Sequence, residues 1–152
     1  MAALQGQVSI PQTALPAGSS LTVCRLKAPT NQRVRVLGYG LFFDGTSNAA
    51  QPIQVQIGRI SADIASPSAL TMLPNEEELT ETFQTSAVQS TAHANEPTYS
   101  NYLKTLTVHP QLGYEYLAPP GQEIVIKGGG MLGFVINAPA AVNARGYVMF
   151  EE

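Results

Sequence analysis

The chain has no tryptophan, one cysteine and little charge. Each shortage excludes something. Cys24 alone cannot close a disulfide within the chain, so the fold must rest on its core, and a lone thiol fits folding in a reducing compartment such as a cytoplasm. Cys24 lies in "SLTVCRL", a strand-like run with no histidine beside it to activate a thiolate, so it reads as a packed core or interface thiol. Without tryptophan, a sugar-binding platform would fall to Tyr99, Tyr102, Tyr114 and Tyr116. Charged residues make up 12% of the chain, about half of the ~25% usual in globular domains. The eight basic residues are scattered and make no patch, so no nucleic-acid partner held through phosphate contacts is expected. Long apolar runs are also missing. "MAALQGQVSI" is too short and too polar for a signal peptide or a membrane span, and no membrane partner is expected.

Residues that carry chemistry are equally sparse. His93 and His109 lack metal-ligand spacing to another candidate. "FDGTSN" resembles the start of a calcium loop, but no glutamate follows at the required distance, so Asp44 and Gly45 read as a turn. No nucleophile elbow and no phosphate-binding glycine loop occurs. Glu76, Glu77 and Glu78 are neighbours in one loop, and such neighbours rarely supply opposed carboxyls for glycoside hydrolysis. The expectation is a protein without catalysis, cofactor or metal.

What the sequence does have is a period of two. Leu21 and Val23 alternate with Thr22 and Cys24, Val34 and Val36 with Arg33 and Arg35, and Ile53, Val55 and Ile57 with Gln54 and Gln56. "EIVIK" and "LGFVIN" repeat the pattern near the C-terminus. Such runs are half-buried strands with one face in a core. The turn signals "LPAGSS", "APTNQ", "FDGTSN", "APPGQ", "GGG" and "NAPAAVN" separate them. The pattern predicts an all-β, antiparallel jelly-roll or β-sandwich of about eight strands. They are drawn from the runs 5–10, 20–27, 33–43, 52–61, 84–92, 103–109, 123–127, 131–137 and 143–150. Residues 20–152 form the sandwich, and residues 1–19 are either an N-terminal arm or its first strand. Long central loops are expected over 62–102, with one helical turn possible at 76–79. The glycines 128–130 lie between two alternating runs, so they read as a tight turn and not a linker. That turn is expected to close a hairpin of 123–127 with 131–137, the start of a meander ending in 143–150.

The run "LTVHPQLGYEYLAPPGQEIVIKGGGMLGFVINAPAAVNARGYVMFEE" resembles a pattern of small structural proteins of tailed bacteriophages. There a polar "HP" and "GY-Y" segment leads through a proline-rich turn into strands joined by a glycine-rich turn, ending in "FEE". The "RVRVL" strand at 33–37 and the I-x-V-x-I-x-R strand at 53–59 are similar to the N-terminal halves of such proteins. The resemblance covers about two-thirds of the chain, best from residue 103. It implies a jelly-roll capsid auxiliary protein, a cement or decoration protein, made in the host bacterial cytoplasm and resident on the virion surface. Its partner would be the major capsid protein of a phage head, and it transfers no catalytic residues. A head-fibre base, a tail component and a carbohydrate-binding or adhesin sandwich are the alternatives. Scarce charge lets large areas be covered without desolvating ions, so a homo-oligomer is expected; the resemblance, which points to capsid sites where three-fold axes occur, implies a trimer first and a dimer second. The assembly contacts are expected from Gln7, Val8, Ser9, Ile10 and Pro11 of the arm, from Glu76 and Glu77, and from Tyr99 and Tyr102.

Overall fold

The structure is a computed structural model, and it describes residues 3–45, 51–77 and 81–152. Twelve strands are described: β1 (Gln5–Leu15), β2 (Ser20–Lys27), β3 (Val34–Phe43), β4 (Ile53–Ala62), β5 (Pro67–Ala69), β6 (Thr71–Pro74), β7 (Ser86–Ser90), β8 (Thr98–Val108), β9 (Gly113–Leu117), β10 (Ile124–Ile126), β11 (Met131–Asn137) and β12 (Val142–Glu151). They form two antiparallel sheets. The first has the order β10-β3-β12-β1-β6, with β9 also on β3; the second has the order β5-β7-β2-β11-β4-β8.

This is a jelly roll. β10 and β9 pair with successive parts of the same edge of β3, at 34–36 and 38–42, so they act as one interrupted strand. Counted that way, eight principal strands give the orders β1-β12-β3-β9/β10 and β2-β11-β4-β8. The chain changes sheet at every principal connection except the one from β4 to β8, as a double Greek key requires. The connection from β4 to β8 is long because it lays β6 beside β1, β7 beside β2 and β5 beside β7.

Side-chain alternation builds the core between the sheets. Phe134 of β11 meets Tyr39 of β3 edge-on, with ring centroids 5.3 Å apart, and Tyr116 approaches Tyr39 at 5.5 Å. Large rings of this kind dominate core burial. Bulges reset the phase along the strands. On β2 the register slips between Thr22 and Cys24, so Cys24 sits opposite Phe134 in the core while Thr22 sits opposite Val135. On β3 the slip between Val36 and Gly38 moves the inward set to Tyr39, Leu41 and Phe43. Burial pushes the Cys24 thiol up to about 12, against the lowering effect of Arg25, so the thiol stays protonated and unreactive.

Of the two readings of residues 1–19, the structure has the first strand over 5–15: β1 lies inside the first sheet between β12 and β6, with Val8 and Ile10 fully packed. Two expectations are corrected. The glycines 128–130 do not close a hairpin. β10 pairs with β3 in the first sheet, and β11 pairs with β2 and β4 in the second. β12 then returns to β1 and β3, so there is no terminal meander. The glycines are a sheet-to-sheet crossover, with Gly129 at φ 71°. The Gly129 N–H donates to the Pro29 carbonyl at 3.0 Å and the Ala28 N–H to the Gly130 carbonyl at 3.0 Å, which ties the crossover to the end of β2. Alternation reports which face of a strand is buried, and not which strand lies beside it. The central segment also holds more strand than expected, in β5, β6 and the first half of β8. Glu76 and Glu77 lie in a bend and turn, and the rest of the possible helical turn at 76–79 falls outside the described residues.

Candidate functional site on the open edge of the sandwich

The two sides of the sandwich end differently. On one side the edges are β5 and β6, strands of three and four residues that carry Pro67 and Pro74. Short, proline-bearing edges resist further pairing. On the other side the edges are β8, eleven residues long and free of proline, and the interrupted β9/β10. Bulges break β8 at Ser100 and Leu103, but 104–108 pair regularly with β4 on one side and have no strand on the other among the described residues. The charge on this stretch, Lys104, rests its ammonium 3.6 Å above the Tyr116 ring centroid, which also shows that β8 and β9 lie against each other.

Apolar side chains gather on the same side. Seven large ones are exposed among the described residues, and six of them, Phe42, Tyr102, Leu103, Leu112, Leu117 and Val125, belong to β8, to β9/β10 and the turn before them, or to the neighbouring strand β3. The seventh, Leu73, is on β6 at the opposite edge.

A cleft of about 460 Å³ opens where β4, β8 and β10 meet the crossover at 127–130. Arg59, Lys127, Ser61, Ser100, Val125 and Met131 line it. Arg59 sits opposite Leu132, a fully buried core residue, and continues the inward set Val55 and Ile57. Its guanidinium therefore enters the mouth of the space between the sheets. Burial lowers its pKa from the ordinary value. Among the described residues, neither Arg59 nor Lys127 has a carboxylate within ion-pair distance, whereas Arg25, Lys27 and Arg35 do. Irregular pairing places the hydroxyls: Ser100 is the extra residue between the partners of Arg59 and Ile60, and Ser61 the extra one before Ala62. The Ser100 hydroxyl donates to the Arg59 carbonyl at 3.3 Å.

The residues expected to make assembly contacts fall into two separate places. Gln7, Ser9 and Pro11 are exposed on β1, while Val8 and Ile10 are buried and have no surface to offer a partner. Strand alternation forces that split. β6 pairs with 6–9 of β1, and the Asn75 N–H donates to the Gln5 carbonyl at 3.0 Å, so Glu76 and Glu77 come near the start of β1. Tyr99 and Tyr102 lie at the other edge. Their rings stack at 5.2 Å, Tyr102 is 48% exposed, and Tyr99 covers Gly58 and Gly133 on the outer face of the second sheet. The Tyr99 hydroxyl shares a 2.8 Å hydrogen bond with Thr22 Oγ1, and the Thr22 hydroxyl and N–H both donate to the Glu96 carboxylate. Burial is the main cause that raises the Tyr99 pKa. His93 Nδ1 lies 2.8 Å from the Ser20 carbonyl, and His109 Nδ1 accepts from the Gln111 N–H within its turn. Asp44 accepts from the N–H and side-chain amide of Asn143, bonds that lower its pKa and tie the end of β3 to the start of β12.

The cleft residues were not singled out from the sequence. A signal exists: Arg59 stands where the run Ile53, Val55, Ile57 calls for another apolar residue. Lys127, Ser61 and Ser100 carry no such signal, because crossover and bulge geometry bring them in. No known protein family matches the chain, and neither a curated protein nor a solved structure matches it.

Proposed function

We infer that the chain is a structural virion protein that binds the outer surface of a phage capsid and stabilises it. The observation that carries the reading is the asymmetry of the sandwich. Among the described residues, one side is closed by short, proline-bearing strands, and the other presents β8 with its outer edge unpaired, flanked by six exposed apolar side chains. An open strand beside apolar surface is a site for pairing with another chain. The low charged fraction supports the same reading, since little ionic surface must be stripped of water on contact. The major capsid protein is the proposed partner, and the proposed assembly is a homotrimer, with a dimer second. Enzymatic activity forms no part of the reading.

The test is co-expression with the major capsid protein encoded in the same genome, followed by sedimentation. The chain is expected to travel with the shells in fixed stoichiometry and to raise the temperature at which they rupture. Shells that form without bound chain would overturn the proposal. Light scattering of the purified protein reads its oligomeric state. Tyr102 stacked on Tyr99 with an exposed face favours carbohydrate binding as a second reading, and a glycan array probed with wild type and Tyr102→Ala tests it.

A further inference from the structure

We propose that the cleft at Arg59 and Lys127 receives an acidic side chain of a partner protein, a glutamate or aspartate with apolar neighbours. The argument begins with Arg59. It occupies an inward register position, and among the described residues it has no carboxylate partner. A cation drawn partly out of water without a counter-ion is destabilising. An aliphatic residue there would continue the alternating pattern of β4. The arginine is explained if an anion arrives from outside.

The surroundings select the anion. A guanidinium fork matches a planar carboxylate with two parallel bonds. Lys127, on the crossover, adds a second positive charge; the Ser61 and Ser100 hydroxyls line the cleft but already donate to the Thr98 and Arg59 carbonyls, so the two cations carry the recognition. Val125, 38% exposed, and Met131 supply apolar wall, which a bare phosphate or acetate would leave wet. A nucleic-acid backbone fits poorly, because the chain carries a net charge of −3 and its other cations are scattered. A carboxylate carried between apolar side chains uses every surface of the cleft. The cleft also borders β8 and β10, so a chain seated there touches the open edge.

The experiment is an amide chemical-shift titration of the full chain with four probes: acetyl-Leu-Glu-Leu-amide, its Leu-Gln-Leu analogue, sodium acetate and inorganic phosphate. The glutamate peptide is expected to move the amides of Arg59, Ser61, Ser100, Gly130 and Met131 saturably. The glutamine analogue and acetate are expected to bind at least tenfold more weakly. Arg59→Gln and, independently, Lys127→Gln should each weaken the glutamate peptide about tenfold, as expected for a lost charge-assisted hydrogen bond. Lys127 is exposed, so its variant keeps the test open if Arg59→Gln does not fold. Absence of shifts at the cleft overturns the proposal. So does peptide binding that ignores both the glutamate and the two cations. Acetate or phosphate binding as tightly as the glutamate peptide would make the cleft a small-anion site and overturn it as well. The proposal does not rest on the capsid reading: peptide binding with no shell association would remove that reading and leave this one standing.

Discussion

Arg25 shows how one buried charge is held. Its residue is 5% exposed on β2. Nε and Nη2 donate to the two carboxylate oxygens of Asp63 at 2.9 and 3.1 Å, and Nη1 donates to the Ser86 hydroxyl at 2.9 Å. Removing the carboxylate strands a buried guanidinium. Asp63→Ala is therefore expected to cost about 2–3 kcal/mol, less than for a fully enclosed pair because Asp63 is partly solvated. The double variant Arg25→Met with Asp63→Ala should recover most of that loss, and urea unfolding of both reads it. Equal stability of Asp63→Ala and wild type would sink the argument. Tyr39 makes the opposite case. Its ring fills the core, but among the described residues its buried hydroxyl has no hydrogen-bond partner. Tyr39→Phe removes the unsatisfied group and keeps the packing, so a gain of about 1 kcal/mol is expected in the same assay. A loss would show that the hydroxyl is satisfied in solution. Neither feature was legible in the sequence. "SLTVCRL" marks a strand, but only the bulge before Cys24 sends Arg25 outward to Asp63.

Strands were legible where one face is buried and the other wet, because that contrast writes a period of two. β3 and β4 begin with that contrast and stand close to their expected ranges, as β12 does, whereas β2 and β11 are buried on both faces and stand close to theirs because turn signals bound them. The strand β8 was seen only from residue 103, because most of 98–107 is exposed on this edge and selects no contrast between faces. Pairing was not legible, and the glycines 128–130 show why: a tight turn serves a hairpin and a crossover equally. The conformational demand survives the correction. Gly129 holds φ at 71°, where a β-branched residue is strained, so Gly129→Val is expected to cost ~1 kcal/mol or more. An unchanged melting temperature would contradict it. The first strand gives a larger effect. Deleting residues 1–12 removes Val8 and Ile10 from the core and leaves the edge of β12 bare. The loss is on the order of 5 kcal/mol or more, comparable with the whole stability of a domain. The truncated chain should lose cooperative unfolding by circular dichroism. A truncated protein that melts like wild type would return these residues to the arm reading.

At the scale of the molecule, the low charge and the open edge belong to one argument. Composition shows that the chain is poor in ions but does not say where; among the described residues the fold puts six of the seven large exposed apolar side chains on one flank, opposite the edge closed by β5 and β6. The site was legible in the sequence only as a property of the whole surface, since Leu103, Leu112, Leu117 and Val125 lie on separate elements until the sheets form. The flank can be tested without disturbing the core. Leu103 and Leu117 are 43% and 68% exposed, so Leu103→Lys and Leu117→Lys should each change stability by no more than about 0.5 kcal/mol. Leu73→Lys, at a residue 58% exposed on the closed edge, is the matched control with the same chemistry in the wrong place. If the open flank meets the shell, the first two substitutions abolish co-sedimentation with capsids and the third leaves it intact, all three with melting temperatures near wild type. If Leu73→Lys releases the protein while the flank variants stay bound, the contact lies at the β6 edge, beside Gln7, Ser9 and Glu76, and the asymmetry of the edges has been read the wrong way round.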